Sequence, residues 1–195
     1  VWGVSYLMKA HALERAEAAG LTSLIFSGLL FSGPALAYLS QRMGAYRVIT
    51  LCGLGMVAVL GVLLSQLVLS STGLALLFFT LGLLCCYQVV VFAAAEAWVA
   101  PAQLGVTVAF LNCLNMLGGS LFHTVIGQLM DYFAPLSQLG ASPAEGFYSY
   151  PLTAYTRALA FIPLCAALGC ILIAWVGVNR RRKTSACSEP GAQNK

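Results

Sequence analysis

Apolar residues come in five long blocks: residues 18–39, 48–69, 74–95, 106–130 and 155–178. Each approaches or exceeds the roughly 20 mostly apolar residues that an α-helix needs to cross a bilayer. The pattern therefore predicts five crossing helices. A sixth apolar piece, residues 1–8, is too short to cross. It carries Trp2, Tyr6 and Met8, and the chain opens with Val instead of Met. We expect this piece to be the end of a helix whose first part lies upstream.

The connections differ in length and charge. Residues 40–47 join the first two blocks with a basic stretch, and residues 70–73 join the next two without charge. Residues 131–154 form the longest connection. Pro135, Pro143, Gly146 and Pro151 break helices there, and Tyr132, Phe147, Tyr148 and Tyr150 suit a membrane interface. Within the blocks, small residues recur four apart: Ser23 and Ser27, Gly28 and Ser32, Gly61 and Ser65, Cys165 and Gly169. Such spacing lets helices approach closely. Pro34 and Pro163 each remove a backbone hydrogen bond and predict kinks.

Composition turns the pattern into a class. Hydrophobic residues make up 60% of 195 and charged residues 8%, and the mean hydropathy is +0.87. About a quarter of a soluble domain is charged, so these side chains are too few to coat a globule. The expected fold is an all-α integral membrane bundle, polytopic, with a domain over residues 1–178 and a basic tail over 179–195. Of the seven cysteines, six lie in apolar runs and Cys187 in the tail. Their number is odd, no C-x-x-C pair occurs, and His11 stands far from His123. Neither a disulfide framework nor a metal site is expected, and no cofactor.

The net charge of +4 is concentrated: Arg180, Arg181, Arg182 and Lys183 follow the last block directly. That position marks orientation and contact with anionic lipid; no basic and aromatic interleaving points to nucleic acid. With five alternating crossings, one side holds Arg42, Arg47, Arg180, Arg181, Arg182, Lys183 and Lys195. The other holds Lys9, Arg15 and Arg157. Seven against three predicts a cytoplasmic C-terminus.

Polar residues inside apolar blocks are the candidate site. At about 100° per residue, Asn112, Asn115, Gly119, His123 and Gly127 fall within one sector of the fourth block. Phe110, Leu114, Leu117, Leu121 and Val125 occupy the opposite face. Such a polar, small-residue face borders a solute pathway or makes interhelical hydrogen bonds and close packing. Asn112 and Asn115 are candidate solute binders, and His123 is a candidate proton carrier because imidazole titrates in the working range. Gln88 in the third block is a further pathway candidate. Gln66 suits an interface, and Glu96 a helix end. No Walker-type loop, nucleophile triad or paired catalytic residue competes with this reading, so no enzyme is expected.

Three stretches resemble the major facilitator superfamily. Leu39, Ser40, Arg42 and Gly44 fit its short cytoplasmic loop G-x-x-x-D-R-x-G-R-R, whereas Ala37, Gln41, Ala45 and Tyr46 depart from it. Glu96, Pro101, Gly105, Thr107 and Asn112 are similar to a second loop of its bacterial members. Asn112 to Gly119, with Ile126, Gly127 and Asp131, is similar to its eleventh helix. The resemblance implies a C-terminal six-helix half, helix seven (truncated) to helix twelve. It also implies alternating access with a midplane site between two halves, and a conformational gate at Gln41, Arg42, Gly44 and Arg47. The implied partners are a small organic solute, a candidate coupling proton, the lipid bilayer and the absent N-terminal half. The implied location is a bacterial inner membrane. The alternative is a truncated, non-transporting membrane protein or an assembly subunit of a membrane complex.

Overall fold

The computed structural model describes residues 2–67, 69–85, 87–96, 98–134 and 150–187, the last eight of these by backbone alone. Phe147, Tyr148, Pro135, Pro143, Gly146 and Lys195 lie outside the described residues, as do the side chains of Arg180, Arg181, Arg182 and Lys183. Among the described residues there is no strand. The helices are α1 (Trp2–Ala10), α2 (Arg15–Met43), α3 (Ala45–Leu64), α4 (Ser71–Cys85), α5 (Tyr87–Glu96), α6 (Leu104–Phe133), α7 (Leu152–Leu159) and α8 (Phe161–Cys187), with a 3-10 turn at Pro101–Gln103. Five segments are long and apolar enough to cross a membrane: Arg15–Met43, Ala45–Leu64, Ser71–Glu96, Pro101–Phe133 and Leu152–Asn179.

Helix ends depart from the expected block edges for local reasons. The expected connection at 40–47 shrinks to one residue, Gly44, because α2 runs to Met43 and α3 begins at Ala45. Gly44 has φ 86° and ψ 141°, a region that L side chains avoid and glycine enters freely. The last block is divided at Ala160. Pro163 has no N–H for the Leu159 carbonyl, and its ring crowds that carbonyl, so α7 ends at Leu159 and α8 begins just before the proline. Helix α2, by contrast, continues through Pro34. Helix α8 extends beyond residue 178 to Cys187, so the first part of the expected tail is helical.

Two close helix pairs organise the bundle, α2 with α4 and α3 with α8. At the first, Gly28 meets Gly82. A Cβ at Gly28 would overlap the Phe79 carbonyl oxygen and come within 2.9 Å of the Gly82 Cα; a Cβ at Gly82 would overlap the Ile25 carbonyl. One turn further along, buried Ser32 donates its hydroxyl proton to the Leu83 carbonyl oxygen. At the second pair, Gly53 lies against the Cys170 sulfur, and a Cβ at Gly177 would stand 3.2 Å from the Tyr46 Cβ. Of the four small-residue pairs, only Gly28 with Ser32 forms such a crossing. Ser23, Ser27, Gly61 and Ser65 are exposed, and open space lies where Cβ atoms at Gly61 and Gly169 would stand.

The buried residues form two clusters. One unites α1 with the ends of its neighbours through Tyr6, Leu7, Leu63, Phe78, Met130 and Tyr155. The Tyr6 hydroxyl donates to the Leu63 carbonyl at 2.8 Å, fixing α1 to the end of α3. The other cluster gathers Leu36, Val48, Ile49, Cys52 and Val90. Helix α6 is attached mainly at its C-terminal end, where Ile126 and Met130 are its buried residues. No residue in its most apolar stretch is buried.

Candidate functional site

The attachment of α6 by its end leaves a cavity of about 1090 Å³, walled by α3, α8 and α6 and closed towards α1 by Trp2 and Tyr6. Glycines shape it. Gly118 and Gly119 on α6 and Gly169 on α8 border it, and a Cβ at any of the three would meet open space. Along α3 the wall is Ile49, Gly53, Met56 and Leu60. These residues form one face because they repeat at helical spacing.

Polar groups on the wall are few. Asn115, Ser120 and His123 come from α6, Tyr87 from α5, and Tyr6 from α1. The Tyr6 hydroxyl is already engaged by Leu63. Trp2 also borders the cavity, and its indole Nε1–H is buried without a hydrogen-bond partner. Among the described residues, no Asp, Glu, Lys or Arg lines the cavity. Charge is kept to the helix ends. At one end Ser71 donates to Glu17 at 3.4 Å, Tyr150 donates to Asp131 at 2.5 Å, and the Arg157 guanidinium stands 5.7 Å above the Phe133 ring. There too, Gln66 has φ 57° and donates from Nε2 to the Thr156 hydroxyl at 3.1 Å.

The structure brings Asn115 and His123 to one cavity and leaves the other pathway candidates outside it. Asn112 is exposed and Gln88 half-buried, and neither lines the wall. The division of α6 into a pathway face and an apolar face is also less sharp than its helical wheel suggests. Leu114, from the apolar face, lines the cavity beside Asn115, because no helix covers this stretch and the opening spans a wide arc. Phe110 and Leu117 are exposed, at 62% and 55%, and lie off the wall. The gate candidates cluster around the sharp turn. Gln41 and Arg42 end α2, Arg47 lies in the first turn of α3, and all three are exposed. The Arg42 guanidinium sits 5.1 Å above the Tyr38 ring.

Sequence reasoning missed Trp2, Tyr87, Gly53 and Met56. Trp2 lies at the edge of an apolar stretch and Tyr87 inside one, neither shows a partner in sequence, and Gly53 and Met56 are indistinguishable from packing residues until α3 is set against α6. Among the described residues, no three His, Cys, Asp or Glu side chains gather as a metal ion would require, and no disulfide joins Cys52, Cys85, Cys113, Cys165 or Cys170. What the arrangement can do chemically is enclose a solute in an apolar wall and offer it a few hydrogen bonds. Compared with known proteins, the chain matches no family model, no curated protein and no solved structure.

Proposed function

We propose that this chain is the C-terminal half of a secondary active carrier resembling the major facilitator superfamily. It lies in a bacterial inner membrane with its C-terminus cytoplasmic, and moves a small organic solute by alternating access together with an N-terminal half. The observation that carries the reading is the large cavity between α3, α6 and α8, bordered by Asn115 and His123, within a set of five helices of crossing length. Exposing amides and an imidazole to hydrocarbon is costly. Polar residues on α6 are accounted for if a solute path or a second half covers them. Gly44, held where glycine alone fits easily and flanked by Arg42 and Arg47, supports the gate assigned to this turn.

A second reading, an assembly subunit of a membrane complex, is favoured by the same uncovered α6. The two differ in flux. The product of the complete native gene, expressed in cells and screened with labelled organic solutes, is expected to give saturable, substrate-specific uptake or efflux that falls at least tenfold with Asn115→Leu. Absence of flux for every solute class, with stable co-purification of another membrane protein, would favour the subunit instead.

A further inference from the structure

We propose that the cavity between α3, α6 and α8 selects neutral, predominantly apolar solutes that carry a hydrogen-bond acceptor, and rejects carboxylates, ammonium ions and sugars. This ligand class rests on the carrier reading of the cavity. Its volume of about 1090 Å³ lies just above the ~300–1,000 Å³ typical of small-molecule sites, so a multi-ring solute fits.

Charge complementarity decides the class. An ionised solute brought into an apolar enclosure must exchange its hydration for an opposite charge or a dense set of hydrogen bonds. Among the described residues, no Asp, Glu, Lys or Arg lines the wall. A sugar fails for the related reason that each hydroxyl needs a partner. The polar groups on offer, chiefly Asn115, Ser120, His123 and Tyr87, are too few and too widely spread for that. A flat apolar body is matched instead by Ile49, Met56, Leu60 and Ile162.

The acceptor follows from Trp2. Its Nε1–H is buried and unpartnered, and an indole N–H can only donate. A buried donor left without an acceptor is unfavourable. Since almost none of the Nε1 surface is open as packed, a solute carbonyl oxygen relieves the donor once the indole turns towards the cavity that Trp2 borders. The Trp2 ring also stands 4.0 Å from where a Cβ on Gly127 would be. The indole ring is thereby held between α1 and α6.

The test is equilibrium binding of tritiated 2-naphthamide to the 195-residue chain in nanodiscs, with binding to empty nanodiscs subtracted. We expect saturable binding that unlabelled 2-methylnaphthalene displaces at higher concentration. 2-Naphthoate and 2-naphthylmethylammonium should compete at least tenfold more weakly than the amide. Gly119→Leu and Gly169→Leu, which start from positions where a Cβ meets open space at the cavity wall, should each weaken binding at least tenfold. Gly61→Leu, at an open position outside the cavity, should leave it unchanged. Trp2→Phe keeps the ring and removes the donor. It should weaken the amide about fivefold and leave 2-methylnaphthalene unaffected.

Equal competition by either charged naphthalene would overturn the ligand class. Wild-type affinity in both glycine variants would remove the ligand from this cavity. A Trp2→Phe change that moves both neutral ligands alike, or neither, would overturn the assigned hydrogen bond. Selective amide binding combined with no flux from the complete native gene product would leave the ligand class standing and sink the carrier reading. Flux of a charged solute without amide binding would do the reverse.

Discussion

At the scale of single residues, the tightest constraint is the crossing of α2 and α4. Gly28 and Gly82 each leave no room for a methyl group against the other helix's backbone. Overpacking of this kind costs about 1–3 kcal/mol. Gly28→Ala and Gly82→Ala are therefore each expected to lower stability by about that amount in SDS-titrated unfolding of the purified protein. Gly61→Ala, which meets nothing, should stay within about 0.5 kcal/mol of the parent. The double variant should cost less than the sum, because both changes open the same contact. Strict additivity would mean that the helices do not meet there. Spacing made half of this contact legible: Gly28 and Ser32 read as a close-approach pair. Gly82 did not, although Cys86 stands four residues on, because spacing along one helix does not say what that helix meets. Its partner is on another helix, which only the assembled fold reveals.

At the scale of elements, the number of crossing-length helices was legible because about 20 apolar residues can hardly be anything else. Their ends were not. The turn at Gly44 looks in sequence like an eight-residue basic loop, yet one glycine in a rare backbone conformation lets both helices run through it. Gly44→Ala is expected to destabilise by about 1–3 kcal/mol, measured by the same unfolding assay. It should do so even though open space lies where its Cβ would stand, so an effect below about 0.5 kcal/mol would contradict the positive φ. Helix α6 gives the second element-scale prediction. If the proposed carrier reading holds, single cysteines at Asn115, Ser120 and His123, placed in the complete native gene product with its own cysteines replaced, should react with small hydrophilic thiol reagents. Cysteines at Phe110 and Leu117, exposed but off the cavity wall, should stay inert in lipid. Asn112 and His123 lie about 16 Å apart along the axis at 1.5 Å per residue. They should therefore differ in reactivity when the carrier is held open to one side. Uniform labelling of α6, or none, would remove it from the pathway.

At the scale of the whole molecule, the paired helices α2 with α4 and α3 with α8 leave α6 joined to the bundle chiefly through its C-terminal end. No pattern in the sequence announces this, since which helices pair depends on where glycines meet across the bundle. The consequence is functional. A carrier whose solute passes between two halves needs both, so the 195-residue chain reconstituted alone should bind ligand yet give no saturable flux. Flux from the chain alone would overturn the half-carrier reading. Orientation is the remaining whole-molecule property that the proposed reading predicts, from charge. Seven basic residues fall on the side of Gly44 and the C-terminus, against three on the side of the 131–154 connection. Positive residues are retained in the cytoplasm, and the last helix carries its basic cluster onward to Cys187. With the other six cysteines replaced, Cys187 should resist membrane-impermeant maleimide in intact cells and react fully once the membrane is permeabilised. A cysteine introduced at Tyr132, which is 82% exposed at the opposite end of α6, should show the reverse. Labelling of Cys187 in sealed cells would invert the topology and move the Gly44 turn to the outer face, where its arginines could not serve as a cytoplasmic gate.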